Sequence, residues 1–209
     1  MLRLVEEKTV ELRRANDDLL RLSSTDPLTG LANRRVFDRA LKRECARLKR
    51  TGVAVSLIFL DVDHFKALND SAGHQRGDEY LVLLSTELTR IARRTTDVAA
   101  RCGGEEFAMI LPGTGAADAA HIAELVRSAI SDLRLPHTAS PTSAILTVSV
   151  GVATATPDWP DTPAELVAAA DQALYAAKRG GRNRVEVVQR YSALPGVEDH
   201  VVIERVLTP

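Results

Sequence analysis

Residues 1–23 place Leu2, Val5, Thr9, Leu12, Asn16, Leu19 and Ser23 at alternating steps of three and four, without Gly or Pro. That is the seam of a heptad helix, weakened at Thr9, Asn16 and Ser23, and an Asn at such a position fixes register in a parallel dimer. The pattern reads as a coiled-coil stalk, or as an amphipathic helix packed on its own domain. Asp26-Pro27-Leu28-Thr29-Gly30 then breaks the helical pattern, because Pro27 stops it and Gly30 permits a turn.

Beyond the break, Asn33 is placed to cap a helix whose apolar stripe is Val36, Phe37, Ala40, Leu41, Cys45 and Leu48, ended by Thr51-Gly52. The nearly unbroken apolar run 53–60 predicts a strand buried on both faces, ending in Asp61-Val62-Asp63. A polar loop is expected up to Gly77, followed by a helix carrying Leu81, Leu84, Leu88 and Ile91. Residues 97–102 and 106–111 read as strands flanking Gly103-Gly104, a hairpin signal. A helix over 116–133, a buried strand over 145–152, a helix from Pro163 to about Lys178 stopped by Gly180-Gly181, and a closing strand over 185–188 complete the pattern. In the tail 190–209 the short apolar run Val201–Val206 receives no role. The expected fold is α+β: one central, mostly antiparallel sheet flanked by helices, with an N-terminal coiled-coil helix.

Composition narrows the function. The 209 residues are 45% hydrophobic and 26% charged, enough for a core of their own. A formal charge of −1 argues against a chain that grips nucleic acid through its net field. Cys45 and Cys102 form no disulfide framework and suit a reducing cytoplasm. No apolar run is long enough to span a bilayer, and the charged N-terminus is unlike a signal peptide.

The chemistry gathers at four places. Asp61 and Asp63, at i and i+2 where a hydrophobic strand ends, repel one another unless a cation compensates, and a hard divalent ion such as Mg²⁺ or Mn²⁺ is the natural one; a solvated loop acid is the bland alternative. Glu105 and Glu106 follow two glycines that let a backbone approach a ligand, although an exposed hairpin would look the same. In the stretch 69–78, Asp78 reads equally as a helix cap and His74 as structural. Lys178, Arg179, Arg182 and Arg184 complement a helix C-terminus or hold a polyphosphate.

Taken together, Asp26-Pro27-Leu28-Thr29-Gly30-Leu31-Ala32-Asn33-Arg34, Asp61-Val62-Asp63-His64-Phe65-Lys66 with Asn69-Asp70, Gly73-His74 with Gly77-Asp78, Gly103-Gly104-Glu105-Glu106-Phe107, and Ala170-Asp171 through Lys178 to Gly181-Arg182-Asn183 resemble the GGDEF domain of bacterial diguanylate cyclases. The resemblance covers about residues 24–189, with 1–23 as stalk and 190–209 unassigned. Glu105 replaces the Asp of the family name, and Cys102 stands where an aromatic residue is usual.

The resemblance implies a palm-like fold, akin to polymerases and nucleotide cyclases, and an enzyme that condenses two GTP into cyclic di-GMP and two pyrophosphates between half-sites of a homodimer. It implies two Mg²⁺ (or Mn²⁺) per half-site on Asp61, the Val62 carbonyl and Glu105, with Glu106 nearby, and Glu105 as proton acceptor. Lys66, Lys178 and Arg182 would hold the triphosphate with the backbone amides of His64 and Phe65, and Lys66 would steady the transition state. Asn69 and Asp78 would read guanine; Asp78 argues for GTP in both half-sites, since the branch making mixed dinucleotides resembles Ser there. Arg94 and Asp97 match the family's Arg-x-x-Asp product-inhibition site, against the plainer reading of a salt bridge within one turn. A catalytically silent cyclic di-GMP receptor or dimerisation module is the alternative. A sensor domain upstream is expected, and it is absent from these 209 residues.

Overall fold

The computed structural model describes residues 24–157, 162–191 and 200–206. The stalk expected over 1–23 lies outside them. In chain order the elements are β1 (Ala32–Asn33), α1 (Arg34–Thr51), β2 (Val55–Val62), α2 (Phe65–Ala72), α3 (His74–Ile91), β3 (Val98–Arg101), β4 (Glu106–Pro112), α4 (Ala116–Asp132), β5 (Val148–Ala155), α5 (Pro163–Arg179), β6 (Val185–Tyr191) and β7 (His200–Arg205). The seven strands form one sheet in the order β1-β3-β4-β2-β5-β6-β7. Among the described residues only β1–β3 and β5–β6 pair in parallel, so the sheet is mostly antiparallel, as expected.

Two cores sandwich the sheet. On one face Ile58, Leu60 and Val62 of β2 pack with Phe65 and Leu68 of α2, Leu81, Leu84 and Leu88 of α3, and Val126 and Ile130 of α4. On the other, Val55 and Leu57 pack with Phe37, Leu41 and Leu48 of α1 and Leu166, Ala170 and Ala173 of α5. β2 is the hub, bonded to β4 and β5 along its length. Fully burying one large aliphatic side chain contributes about 1.5–3 kcal/mol, so a strand carrying Leu57, Ile58 and Leu60 is a rigid mount for whatever lies at its end.

Local signals set the boundaries. The Asn33 side chain caps α1 by accepting from the Val36 N–H (3.1 Å), and the helix stops at Gly52. Thr162 and Glu165 form a capping box at the start of α5, with Pro163 in its first turn. Against Gly151 of β5, α5 rides so close that an added Cβ would overlap the Leu174 nitrogen and the Ala170 carbonyl.

Three expectations are corrected. The polar loop to Gly77 is in fact α2 and the first turn of α3, split at Gly73. Only Phe65 and Leu68 of α2 are buried, too few apolar positions to reveal a helical period. The strand expected over 53–60 is shifted to Val55–Val62, because pairing with β4 and β5 continues through Asp61. Residues 145–147 lead into β5 rather than forming it, and Ile145 instead makes a lone bridge to Pro136. The unassigned tail supplies β7, which pairs antiparallel with β6.

Candidate active site

Asp61 is the last carboxylate on β2, and its register partner on β4 is Glu106. One residue further, the Val62 N–H donates to the Glu105 carbonyl (3.3 Å), so the strand end and the Gly-Gly hairpin are stitched together. The hairpin tip is held from below: Arg101 donates twice to the Gly104 carbonyl (2.7 and 3.0 Å) and once to Asp26 Oδ1 (3.1 Å). The same Asp26 oxygen accepts from the Thr29 N–H and hydroxyl, which makes the Asp26–Thr29 turn a structural anchor.

Asp61 is only 8% exposed. Burial pushes its carboxyl up to about 6; Lys178 opposes this with an ion pair at 2.8 Å, while Glu105 and Glu106 add to it by repulsion. A buried acid surrounded by acids calls for positive charge, and Lys178 from α5 supplies it. Among the described residues no three carboxylate, imidazole or thiol groups are already gathered as a ligand set. The donor chemistry nonetheless fits a hard divalent cation: carboxylate oxygens on adjacent strands, one of them buried and countered by a lysine. The thiol of Cys102, at the base of the hairpin, is pushed up to about 12 by burial and stays neutral.

Asp63 parts company with Asp61. It is 1% exposed, and its two oxygens accept from Thr147 Oγ1 (2.7 Å), Ser149 Oγ (2.7 Å) and the Asn183 N–H (3.1 Å). Its carboxylate is therefore consumed in fastening β2 to β5 and to the turn after α5. The Asp-x-Asp pair of the sequence is one buried acid facing the hairpin acids and Lys178, and one internal tie.

His64 turns the chain from β2 into α2 in the left-handed region (φ 56°). Its Nε2 lies 2.8 Å from Thr142 Oγ1, and its carbonyl accepts from His137 Nε2 at 3.1 Å. Burial and the nearby Arg182 hold the His64 imidazole below its ordinary value. Phe65 is buried and Lys66 exposed on the first turn of α2. Further along, Asn69 sits on α2 and the exposed Asp78 on α3. Asn69 Oδ1 is buried without a hydrogen-bond partner, a state that invites a ligand donor. It lies directly over Gly77, where a Cβ would overlap it.

Asp61, Glu105, Glu106 and Lys178 thus come together, with His64 and Arg182 beside them, Asn69 on α2, which leaves the same strand end, and Asp78 on α3, which follows α2 at Gly73. Arg94 and Asp97 lie apart, in the turn before β3. There the Arg94 N–H donates to Asp97 Oδ2 (3.1 Å), the Asp97 N–H donates to the Arg94 carbonyl (3.0 Å), and the Arg94 guanidinium reaches Thr114 Oγ1 (3.3 Å). The second Asp97 oxygen is buried and unpartnered, and burial pushes that carboxyl up.

The family model described as "Diguanylate cyclase, GGDEF domain" matches residues 23–184. The chain belongs to the GGDEF family. The probable diguanylate cyclase DgcC of Escherichia coli is 42% identical over 166 residues, 79% of this chain and 43% of that protein. The response regulator PleD of Caulobacter vibrioides is 42% identical over 176 residues, 83% of this chain and 38% of that protein. The chain therefore spans less than half the length of these curated relatives. Among solved structures, the coiled coil and GGDEF domain of DgcB from Caulobacter crescentus in complex with c-di-GMP superposes with a TM-score of 0.72 at 37% identity, covering 88% of this chain and 96% of that one. The active GGEEF domain of a Vibrio cholerae diguanylate cyclase gives 0.65 at 34% identity, covering 75% and 97%.

Some supporting residues of this GGDEF domain escape a reading of the sequence. Arg101, Arg127, His137, Thr147 and Ser149 hold the site without belonging to any motif singled out. A signal exists for two of them: Thr147 and Ser149 are polar at i and i+2 in an otherwise apolar stretch, which marks one face of a strand with something to satisfy.

Proposed function

We propose that this chain is a diguanylate cyclase that condenses two GTP into cyclic di-GMP across two facing copies, releasing two pyrophosphates. The observation that carries this is the convergence of Asp61, Glu105 and Glu106 with Lys178 at the end of β2. In each half-reaction the 3′-hydroxyl oxygen of one GTP bonds to the α-phosphorus of the other, the bond from that phosphorus to the β-phosphate oxygen breaks, and the hydroxyl proton passes to Glu105. One chain presents one such site, so two must meet. Asp61, the Val62 carbonyl and Glu105, with Glu106 adjacent, would hold two Mg²⁺ or Mn²⁺ ions, which supply charge neutralisation to the phosphates. Lys66, Lys178, Arg182 and the amides of His64 and Phe65 bind the triphosphate, with Lys66 placed to meet the charge that builds on it.

Asn69 and Asp78 read the base. The Asp78 carboxylate accepts from guanine N1–H and the 2-amino group; adenine offers neither, and polar groups left unpaired in this way discriminate by about 10⁴-fold or more. Gly77 keeps Asn69 in place, so Gly77→Ala is expected to weaken GTP binding at least about tenfold, the worth of one displaced hydrogen bond. Titration calorimetry checks it, and an unchanged affinity would show that Asn69 is not a base contact.

The Arg94–Asp97 turn suits a second guanine: the Arg fork faces O6 and N7, and the unpartnered Asp97 oxygen accepts N–H groups. Product bound there restrains the two copies from meeting. Arg94→Ala should hold its rate as cyclic di-GMP rises while the parent slows; parallel curves would remove this site. The rest of the reading is a stalk over 1–23, a catalytic unit over 24–189, a sensor upstream, and a cytoplasmic setting where GTP is plentiful. Among the described residues no helix is long and apolar enough to cross a membrane. The deciding experiment is incubation with GTP and Mg²⁺ followed by chromatography of the products. Cyclic di-GMP supports the cyclase, whereas binding of cyclic di-GMP without turnover leaves the receptor reading.

A further inference from the structure

The turn that joins α5 to β6 holds two consecutive non-glycine residues in the left-handed region, Arg182 (φ 61°) and Asn183 (φ 46°). A Cβ makes that region unfavourable, so neighbouring groups must impose it. Three ties do so. The Arg182 N–H donates to the Ala177 carbonyl (3.0 Å), the Asn183 N–H donates to Asp63 Oδ2 (3.1 Å), and the Asn183 side-chain oxygen accepts from Arg127 Nη1 (2.8 Å). Arg127 is itself oriented by Glu124, whose two oxygens both accept from its Nε at 2.9 Å. Glu124 and Arg127 belong to α4, on the opposite face of the sheet from α5. The contact therefore runs across the end of the sheet, from a helix with no residue in the site to the turn that carries Arg182.

We propose that Arg127, oriented by Glu124 and acting through Asn183, is a positioning residue for the triphosphate. It fixes the turn so that Arg182 stands beside His64 at the β2–α2 junction, with Lys178, in the last turn of α5, on Asp61. Asp63, one residue past the strand that bears Asp61, provides the second anchor. The cationic side of the site is thus referenced to the acidic side through Asp63 and to the α4 layer through Arg127. This inference rests on the cyclase reading for its ligand, though not for its geometry.

The test is a double-mutant cycle on the whole chain with Arg127→Met, which keeps the stem and removes the donors, and Asn183→Gly, which accepts the left-handed backbone and removes the acceptor. Each single variant is expected to raise the KM for GTP about tenfold with kcat within about twofold, and the double variant to be no worse than either. Guanosine, which has no phosphates, should bind all forms equally. Trypsin cleavage after Arg182 should quicken in Arg127→Met, a readout that needs no nucleotide. Additive losses in the double variant, an equal loss for guanosine, or unchanged cleavage after Arg182 would each overturn the relay. A parent chain that binds no GTP would defeat the cyclase reading instead, and the cleavage comparison would still decide the relay.

Discussion

Asp61→Asn is expected to lower cyclic di-GMP formation by about 10²–10³-fold and, in the same protein, to make the metal-free fold more stable at neutral pH. The two effects have opposite signs because they arise from one fact. Burial, reinforced by Glu105 and Glu106, raises the Asp61 carboxyl from 3.8 to about 6. The folded state thus holds that proton more tightly than the unfolded chain. Stability falls as pH climbs through the window from 3.8 to about 6 and remains lower above it, by about 2–3 kcal/mol. Asn cannot ionise, so its stability should stay flat across the window and exceed the parent's above it. Asn also weakens the hold on the divalent cations that would neutralise the phosphates, and losing one preorganised electrostatic contribution of that kind costs about 10²–10³-fold in rate. Urea unfolding in chelator at about pH 5 and about pH 7.5, beside initial rates with GTP and Mg²⁺, checks both halves. An Asn variant that is inactive and also less stable at the higher pH would show that Asp61 holds the fold together rather than straining it.

The second large effect falls on the scaffold. Gly151 pairs with Phe59 of β2 and Glu186 of β6, in the middle of the sheet. A Cβ there would overlap the Leu174 nitrogen and the Ala170 carbonyl and lie 2.8 Å from Leu174 Cα. These are backbone atoms of α5, and no side-chain rotation clears them. Overpacking costs about 1–3 kcal/mol when side chains can yield; with a helix axis in the way, Gly151→Ala should cost about 3 kcal/mol or more, a large share of a typical stability of 5–15 kcal/mol. The denaturant midpoint should drop accordingly at constant slope. A loss below about 0.5 kcal/mol would mean that α5 rides higher on β5 than the structure has it. Because α5 delivers Lys178, surviving folded protein should also bind GTP poorly.

Much of this was legible in the chain, for identifiable reasons. The stripe of α1, the Asn33 cap, the hub strand and the hairpin are all written in local periodicity and turn chemistry. The acids of the hairpin were readable because Glu is a poor strand former that needs a reason to follow two glycines. What escaped is what only the third dimension creates. Asp63 looks identical to Asp61 on paper; Thr147 and Ser149, far along the chain, decide that one is a tie and the other is not. α2 hides because a helix with one narrow buried edge has the composition of a loop. Arg127 is an unremarkable helix cation until Asn183 is folded against it.

The strand β7 has a practical bearing. It bonds to β6 from Glu186 to Tyr191, the Val206 N–H closes onto the Val185 carbonyl, and Ile203 packs toward the α1–α5 core. Trimming the protein near residue 189, where family motifs end, would strip that cover and leave a valine-rich rim of unpaired amides. Such a rim is a template for sticking one molecule to the next, so the shortened version should precipitate where the longer one stays in solution.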